Sequence, residues 1–299
     1  MAASAHPSAQ KNALPIKLYP TTADALEVLT AYQQALTGGA VMVVGPLTRD
    51  AVAALAASSL VKMPTLALNT LDDDRMVIAP QLYFFGLQTE NEARFAARLA
   101  GNESRRHAVI INDGGALSKR LQAAFTDEWL KSSAASAKSV PLGGDAMELV
   151  KLRKLGGGED TLFFLALDEK KARIARPYLD PAAPVYATSQ VFGADANNSL
   201  LNHDLEGVRF ADMPWLLQPD HAAVMIYPRT TPPLGADMER LYALGIDAFR
   251  LAEQIRAAGS DPLNLDGVSG RIRWVASRQL FLREPVAATF RNGEVSVAP

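Results

Sequence analysis

Short apolar runs alternate along this chain with longer segments whose apolar residues recur at helical spacing. In the first third of the chain the runs predict strands, and the periodic segments between them predict helices. The predicted strands are 16–19, 41–44, 64–68 and 82–85, and the predicted helices are 23–37, 50–59 and 90–100. Such alternation is typical of a mostly parallel sheet with helices on both faces.

The same pattern starts again after a polar junction at 101–106, which contains glycine and charged residues. The second set predicts strands at 108–111, 139–142, 161–167 and 185–188, and helices at 118–132, 147–155 and 169–178. Two consecutive sets predict an α/β fold with two doubly wound lobes.

Several segments also predict which side chains are buried. The unbroken apolar run 41–44 indicates a strand covered on both faces, because a strand with one solvated face would alternate. Asp24 is expected in the first turn of its helix, where an acidic side chain favours the N-terminus. The apolar residues at helical spacing are Leu26, Leu29 and Leu36 in the first helix and Phe95 and Leu99 in the helix at 90–100.

The last third of the chain departs from this alternation. A strand at 205–210 runs into the apolar, proline-broken segment 213–217, and the proline-rich stretch 218–235 is predicted to be irregular. The apolar stripe of the helix predicted at 236–258 consists of Leu241, Leu244, Ala248, Leu251 and Ile255. In the tail, Asn292-Gly293 predicts a hairpin turn between two strands.

The composition excludes several classes of function. Apolar residues make up 48% and charged residues 21% of the 299 residues, which is typical of a globular protein. The 30 basic and 32 acidic side chains give a formal charge of −2, so nucleic-acid binding is not expected. Because the chain has no cysteine, thiol nucleophiles, disulfides, iron–sulfur clusters and cysteine-bound zinc are excluded. The four histidines are scattered, so we predict no metal site and no cofactor, and no apolar run reaches the roughly 20 residues of a membrane-spanning helix.

Polar residues and tight turns follow several predicted strands, at the sheet edge where open parallel sheets bind ligands. A Gly-Pro turn that leads into a helix would present backbone N–H groups and the Thr48 hydroxyl to a ligand carboxylate. The candidates for lining a cleft between the lobes are Gly45, Pro46, Leu47, Thr48, Asn69, Thr70, Asn112, Asp113, Ser189 and Gln190. Ordinary turn chemistry explains each position equally, with Thr48 as a plain helix N-cap.

Motifs that would indicate catalysis are missing from the sequence. It has no Gly-x-Ser-x-Gly nucleophile elbow, no phosphate loop ending in Gly-Lys-Ser/Thr, and no Gly-x-Gly-x-x-Gly in the first lobe. The run Asp72–Asp74 lacks the alternating spacing of a calcium loop and is expected to be a solvated turn. We therefore predict a protein that is not an enzyme, although a hydrolase with a perturbed carboxylate pair would show no motif either.

Trp215 lies in the apolar segment 213–217, at the end of the second lobe. An exposed tryptophan among apolar neighbours would mark a surface for a partner, and Trp215 is our candidate for that role. The favoured interpretation of the segment is a buried strand between the lobes, and the exposed surface is the alternative.

Five stretches of sequence carry a resemblance to a known family. They are Val44–Leu47, Leu66–Asn69, Leu205–Pro214, Arg240–Phe249 and Leu265–Gly270. Together with the order of elements, they make nearly the whole chain similar to the LppC/LpoA lipoproteins, the penicillin-binding protein activators, which have a type I periplasmic-binding-protein fold. The stretches 206–214 and 242–248 are fairly specific.

The resemblance implies a non-enzymatic activator on the periplasmic side of the outer membrane. Such a protein would bind a class A penicillin-binding protein directly and promote peptidoglycan synthesis. The family fold implies an N-terminal lobe of 1–104 with 218–275 and a C-terminal lobe of 105–217 with 276–299. Membrane attachment is expected only through a lipid anchor, which this chain lacks. The alternative is a periplasmic solute receptor that closes on an amino acid or a small peptide.

The chain departs from the family at its start. The family's signal peptide, lipid-bearing cysteine and N-terminal helical-repeat domain are absent from the sequence. We expect that the chain starts at an internal methionine and lacks the first βα unit. The missing strand would be central in the flavodoxin-like strand order 2-1-3-4-5.

Overall fold

Strands and helices alternate through most of the chain, as the sequence predicts. The computed structural model describes residues 15–71, 77–131, 136–143, 146–155, 159–193, 198–257 and 264–297. The strands are β1 (Val43–Val44), β2 (Thr65–Ala67), β3 (Leu82–Phe85), β4 (His107–Asn112), β5 (Ser136–Pro141), β6 (Thr161–Ala166), β7 (Val185–Thr188), β8 (Val208–Asp212), β9 (Asn264–Asp266), β10 (Arg271–Val275), β11 (Leu280–Glu284), β12 (Val286–Arg291) and β13 (Glu294–Val297). The helices are α1 (Ala25–Thr37), α2 (Arg49–Ala57), α3 (Thr89–Ala100), α4 (Ala116–Trp129), α5 (Ala146–Leu152), α6 (Glu169–Ala175), α7 (Ser199–Asn202), α8 (Pro214–Leu217), α9 (Ala222–Met225) and α10 (Ala236–Ala257).

These elements divide into two units. Unit 1 comprises 1–88, 220–231 and 240–283, and unit 2 comprises 89–219, 232–239 and 284–299. Each unit is built on one sheet of strands that are distant in sequence.

The described strands of unit 1 run in the order β1-β2-β3-β11-β10-β9. The first four pair in parallel, whereas β10 and β9 pair antiparallel. Successive side chains of a strand point to opposite faces, so Phe84 and Phe85 belong to two separate apolar clusters. One cluster contains Tyr32 and Leu55 from the first two helices, and the other contains the apolar stripe of α10.

Helix α10 confirms the stripe predicted from its sequence. Leu244, Ala248, Leu251 and Ile255 are buried, and Leu241 packs half-buried against the same cluster. The regular spacing identified this face because one side of the helix packs into a single core cluster.

Two strand predictions in unit 1 are wrong. Residues 16–19 do not form a strand, and their side chains Ile16 and Leu18 are exposed. The run 41–44 contributes only β1, and it is not covered on both faces, because Val44 is 47% exposed. The physical reason is the position of β1 at the edge of the described sheet, where it pairs only with β2.

Helix α1 also buries a different face from the predicted one. Leu26 is 72% exposed, whereas Val28, Tyr32 and Ala35 are buried. Asp24 precedes the helix as its N-cap, and its Oδ1 accepts the N–H of Leu26 at 2.8 Å. Cap geometry therefore fixes where the helix begins, and contact with the sheet determines which face is buried.

The described strands of unit 2 run in the order β13-β12-β8-β7-β6-β4-β5. The five strands from β8 to β5 are parallel. In chain order they follow the flavodoxin-like arrangement 2-1-3-4-5, with a topological switch point between β4 and β6. The faces of β6 supply two clusters, and Phe125 of α4 stacks on Phe164 with 4.1 Å between ring centroids. The predicted doubly wound fold is confirmed.

Helix α3 packs against α4 through small side chains. Ala93, Ala96, Ala97 and Ala100 are buried in the same cluster as Phe125. The larger Phe95 and Leu99, which the sequence places four residues apart, are only half-buried. Alanine projects little beyond its Cβ and therefore allows two helices to approach closely.

The division into units differs from the predicted lobes at 89–104, 218–219, 232–239 and 276–283. Helix α3 belongs to unit 2 because its alanine face packs there, although the predicted N-terminal lobe extends to 104. Residues 276–283 belong to unit 1 because β11 pairs with β3. The predicted lobe boundaries remain a prediction.

The hairpin turn predicted at Asn292-Gly293 is confirmed. Arg291 pairs with Glu294 across it, and both turn residues have positive φ, 55° for Asn292 and 77° for Gly293. A two-residue type I′ turn requires this conformation. The hairpin adds two strands to the sheet of unit 2: β12 pairs antiparallel with β8, and β13 pairs antiparallel with β12.

Candidate functional site

In unit 1, the turn after β1 is held against the turn after β2. Gly45 has a φ of 119° and is joined to Pro46 by a cis peptide bond. The carbonyl of Pro46 accepts the N–H of Leu68 at 2.8 Å, and Asn69 donates its Nδ2 to the carbonyl of Leu47 at 2.9 Å. Two predicted site segments that are distant in sequence therefore lie side by side.

Thr48 and Thr70 occupy the ends of these turns. Thr48 is the N-cap residue of α2, but its side chain makes no capping hydrogen bond. The interpretation of Thr48 as a plain N-cap expects its hydroxyl to accept a backbone N–H of the helix, and the exposed hydroxyl does not do so. The N–H of Thr70 donates to Asn69 Oδ1 at 3.0 Å, so the side chain of Asn69 is engaged at both of its polar atoms.

Gly86, just after β3, is a residue that the sequence did not single out. A Cβ at this position would lie 3.1 Å from the Cα of Asn69 and 3.1 Å from the carbonyl oxygen of Leu68. The close approach of two backbones leaves little room for a Cβ here and so favours glycine. The sequence shows only a glycine directly after a strand, and this feature is too common in turns to indicate a close contact between two backbones.

In unit 2, Asn112 is the last residue of β4 and Asp113 follows it, at the topological switch point. Asn112 is buried, and it donates to Ser139 Oγ at 2.8 Å and accepts the N–H of Gly114 at 3.0 Å. It therefore ties β4 to its neighbour β5. Asp113 Oδ1 accepts the N–H of Gly115 at 2.8 Å, which orders the turn into α4.

The carboxylate of Asp113 is also paired with a lysine. Lys171, in the first turn of α6, places its Nζ 2.5 Å from Asp113 Oδ2 and 3.2 Å from Asp168 Oδ2. The hydrogen bond from Lys171 holds the pKa of the Asp113 carboxyl below its usual value, and the bond to Asp113 raises the pKa of Lys171. The sequence gave no signal of this pairing.

Ser189 and Gln190 follow β7, which is separated from β4 by β6. Ser189 is buried, and its N–H donates to Oε2 of the buried Glu92 at 3.0 Å. The N–H of Gln190 donates to Thr188 Oγ1 at 3.4 Å. Glu92 is a further polar residue that the sequence did not identify, because a carboxylate in the first turn of a helix is commonplace.

The proposed role of Trp215 as an exposed contact is wrong. Trp215 is 0% exposed, and its indole Nε1 donates to Glu239 Oε2 at 2.6 Å. The apolar segment 213–217 forms the short helix α8, which turns the tryptophan inward. The aromatic ring therefore contributes to the packing of unit 2.

A second charged network joins the start of β7 to the start of β8. Arg209 donates to Glu103 and, at 2.8 Å, to the hydroxyl of Tyr186, which donates to Glu103 at 3.0 Å. Burial raises the pKa of Tyr186 to about 12. Burial also opposes ionisation of Glu103, but the hydrogen bonds from Arg209 and Tyr186 outweigh it and lower the pKa of that carboxyl. The network lies at the opposite end of the strands from Asp113.

The structure thus gathers the predicted residues into groups within each unit. Residues 45–48 and 69–70 form one group, 112–113 a second, and 189–190 a third. Whether these groups line one cleft remains a prediction. Among the described residues, no cluster of three or more His, Asp or Glu side chains is arranged to hold a metal ion. No helix in the described part of the chain is long and apolar enough to cross a membrane.

Proteins of related sequence carry a consistent name. The chain is 27% identical to the "Penicillin-binding protein activator LpoA" of Pectobacterium parmentieri, over 84% of this chain and 43% of that protein. It is 27% identical to the protein of the same name from Klebsiella pneumoniae, over 90% of this chain and 42% of that protein. The chain thus spans less than half the length of these curated relatives.

Solved structures show the same fold. A Chromobacterium violaceum protein described as a "putative branched-chain amino acid ABC transporter" is 38% identical, with a TM-score of 0.79 and coverage of 96% of this chain and 91% of that one. The C-terminal domain of LpoA from Haemophilus influenzae, described as a regulator of PBP1A, is 21% identical with a TM-score of 0.80, over 99% of this chain and 92% of that one. The fold is therefore that of the type I periplasmic binding proteins.

A family model extends this relationship to almost every residue. The model described as "LppC putative lipoprotein" matches residues 1–154 and 157–293. All five sequence stretches on which the resemblance was based lie within these ranges. The chain belongs to the LppC lipoprotein family.

Proposed function

We propose that this chain is a non-enzymatic activator that binds a class A penicillin-binding protein directly and so promotes peptidoglycan synthesis. The observation that carries the proposal is the family match along nearly the whole chain, together with relatives that are named penicillin-binding protein activators. The H. influenzae domain of the same fold is described as a regulator of PBP1A, which agrees with this role.

Activation by binding has a simple thermodynamic requirement. The chain must bind the active state of the synthase more tightly than the inactive state, because a ligand shifts an equilibrium only by its differential affinity. A tenfold preference corresponds to roughly 1.4 kcal/mol of binding free energy. A docking surface supplies this difference without a catalytic group on the activator.

The switch point of unit 2 supports docking rather than capture of a free amino acid. Ligands of open α/β sheets bind beyond the carboxyl ends of the strands at this point. Here the Asp113 carboxylate is neutralised by Lys171 of the same chain. The position where a ligand's ammonium group would find a counterion is therefore already occupied by a protein side chain.

The proposal includes a periplasmic site of action beside the outer membrane. The family is described as lipoproteins, and the proposed partner builds peptidoglycan. Fractionation of cells that produce the natural protein, with detection by antibody, tests this part. Recovery in the cytoplasmic fraction would contradict it.

The central experiment measures binding and activation together. The purified chain is titrated into a reconstituted class A synthase, and both the bound fraction and the fraction of cross-linked peptides in the product are followed. We expect saturable binding and a parallel rise in cross-linking, with no effect on a transpeptidase that lacks the glycosyltransferase domain. Absence of binding at micromolar concentration would reject the proposal.

The solute-receptor alternative is favoured by one observation, the 38% identity to a protein described as an amino acid transporter component. A bound ligand at 100 times its Kd stabilises the folded state by about 2.7 kcal/mol. A melting scan with each amino acid therefore separates the alternatives. A clear rise in Tm with one amino acid, combined with no binding to the synthase, would establish the receptor function instead.

A further inference from the structure

The chain passes from unit 1 into unit 2 at two places that lie near the ends of neighbouring strands, β3 and β11. Gln88 is the last residue of its first segment, and Arg283 is the last residue of its third segment. These segments end just after β3 and within β11, which pair in parallel. Both exits therefore lie at the same edge of the unit 1 sheet.

The side chain of Arg283 connects these exits through backbone carbonyls. It is buried, with only 4% of the residue exposed. Its Nη2 donates to the carbonyl of Leu87 at 2.6 Å, and its Nη1 donates to the carbonyl of Ser269 at 3.0 Å. One guanidinium thus binds Leu87, which precedes the first exit, and the loop that contains Ser269.

The loop at 267–270 is itself anchored to α10. Asp247 is fully buried, and its carboxylate accepts the N–H of Val268 at 3.1 Å and the N–H of Ser269 at 2.7 Å. It also accepts the Ser269 hydroxyl at 2.6 Å. The far end of the Arg283 bridge is therefore attached to the longest helix of the described chain rather than to a freely moving turn.

The chemistry of arginine suits this bridging role. The planar guanidinium presents several N–H donors in a rigid fork, so two acceptors on different segments are held in a fixed relative position. Lysine carries a similar charge, but as a point donor on a flexible stem. A pair of carbonyls from separate segments is therefore held more rigidly by arginine than by any other residue.

We propose that Arg283 is a positioning residue that clamps the exit after β3 and the exit within β11 to the Asp247-anchored loop, so that the chain around Leu87–Gln88 and around Arg283–Glu284 moves as one body. This inference concerns the mechanics of unit 1 and does not depend on the proposed partner. Its consequence is that the two connecting segments do not open independently of each other.

The test is hydrogen–deuterium exchange of the full chain, with Arg283→Met and Arg283→Lys. Exchange is followed in peptides that cover 84–90, 264–272 and 280–286. We expect exchange to be at least tenfold faster in all three regions for both variants, at urea concentrations that leave the rest of unit 1 protected. The control is Arg271→Met, which changes an exposed arginine of the same unit on β10 and is expected to leave all three regions unchanged.

The Lys variant separates positioning from charge. If Arg283→Lys exchanges at the same rates as the native chain, the positive charge alone is sufficient and the proposed positioning role of Arg283 is rejected. Faster exchange confined to one of the three regions would also reject it, because the exits would then move independently. If Arg283→Met does not fold, the comparison of Arg283→Lys with Arg271→Met still decides between these outcomes.

Discussion

Replacing Asp247 by asparagine is expected to destabilise the protein by about 3 kcal/mol, although the volume of the side chain hardly changes. Asp247 is 0% exposed. Its Oδ1 accepts the N–H of Val268 and, at 3.2 Å, an N–H of Arg250. Its Oδ2 accepts the N–H and the hydroxyl of Ser269. Each oxygen therefore serves two donors.

The expected loss of about 3 kcal/mol follows from the way the two oxygens of Asp247 share four donors. An asparagine side chain has one acceptor oxygen and one NH2 group, so either orientation turns the NH2 towards two former donors. If it faces Ser269, the hydroxyl can reverse and accept, but the backbone N–H loses its partner. A hydrogen bond to a charged group contributes about 1.5–3 kcal/mol, and leaving a buried donor unsatisfied costs about 1–3 kcal/mol. A total near 3 kcal/mol is consistent with one such loss and a weakened contact to Arg250.

The assay is urea unfolding of both proteins at pH 7, monitored by tryptophan fluorescence. Asp127→Asn is the matched control, because Asp127 is exposed on α4 and the same substitution there is expected to change the free energy of unfolding by less than about 0.5 kcal/mol. A loss below about 1 kcal/mol for Asp247→Asn, with an unchanged m-value, would refute the argument. It would mean that the loop at 267–270 does not depend on the carboxylate.

Three further predictions concern other parts of the molecule. Lys171→Met is expected to lower the free energy of unfolding by roughly 1 kcal/mol at pH 7, because the lysine is partly exposed and solvent screens its pair with Asp113. Since the folded-state pKa of Asp113 is lowered from 3.8, this difference should be present above about pH 4 and disappear as the pH falls through the lower pKa. Urea titrations across pH 2–7 can follow this change. Gly86→Ala is expected to cost about 2 kcal/mol, because its Cβ meets the backbone at Asn69, and an unchanged Tm would contradict the close approach. Phe164→Ala should cost about 3–5 kcal/mol, since the ring is fully buried, and thermal unfolding that shifts by less than a few degrees would show that the core closes over the cavity.

Local patterns were sufficient to predict elements whose structure is determined locally. The turn at Asn292-Gly293 requires positive φ, and this requirement is visible in two adjacent residues. The stripe of α10 is visible because a single face of a long helix is buried. Both features depend on short stretches of sequence, so a reading of the sequence alone identifies them.

Features that depend on the position of a strand in its sheet could not be predicted in this way. The run 41–44 is as apolar as a central strand, but β1 lies at the edge of the described sheet. Nothing in those residues states which strands pair with them. The same holds for residues 16–19, where an apolar run without a pairing partner in the described structure forms no strand.

The candidate site shows a similar limit. The sequence indicated that 112–113 lies at the end of a strand, and the switch point shows why the position matters. It did not predict that Lys171 pairs with Asp113, because the two residues are brought together by the pairing of β4 with β6, the strand that precedes α6. Burial was one of the two interpretations that the sequence allowed for Trp215, but nothing indicated its hydrogen-bond acceptor, since that acceptor lies in another segment of the chain.

The alanine contact between α3 and α4 determines which positions on α3 can vary among relatives. A methyl group is the largest side chain that Ala93, Ala96 and Ala97 can carry without forcing the helices apart, since each is buried. Phe95, only half-buried on the same helix, is under a much weaker size restriction. In a saturation library selected for folding, the buried alanines of α3 would therefore be the least replaceable, and its single aromatic residue would be among the most freely exchanged.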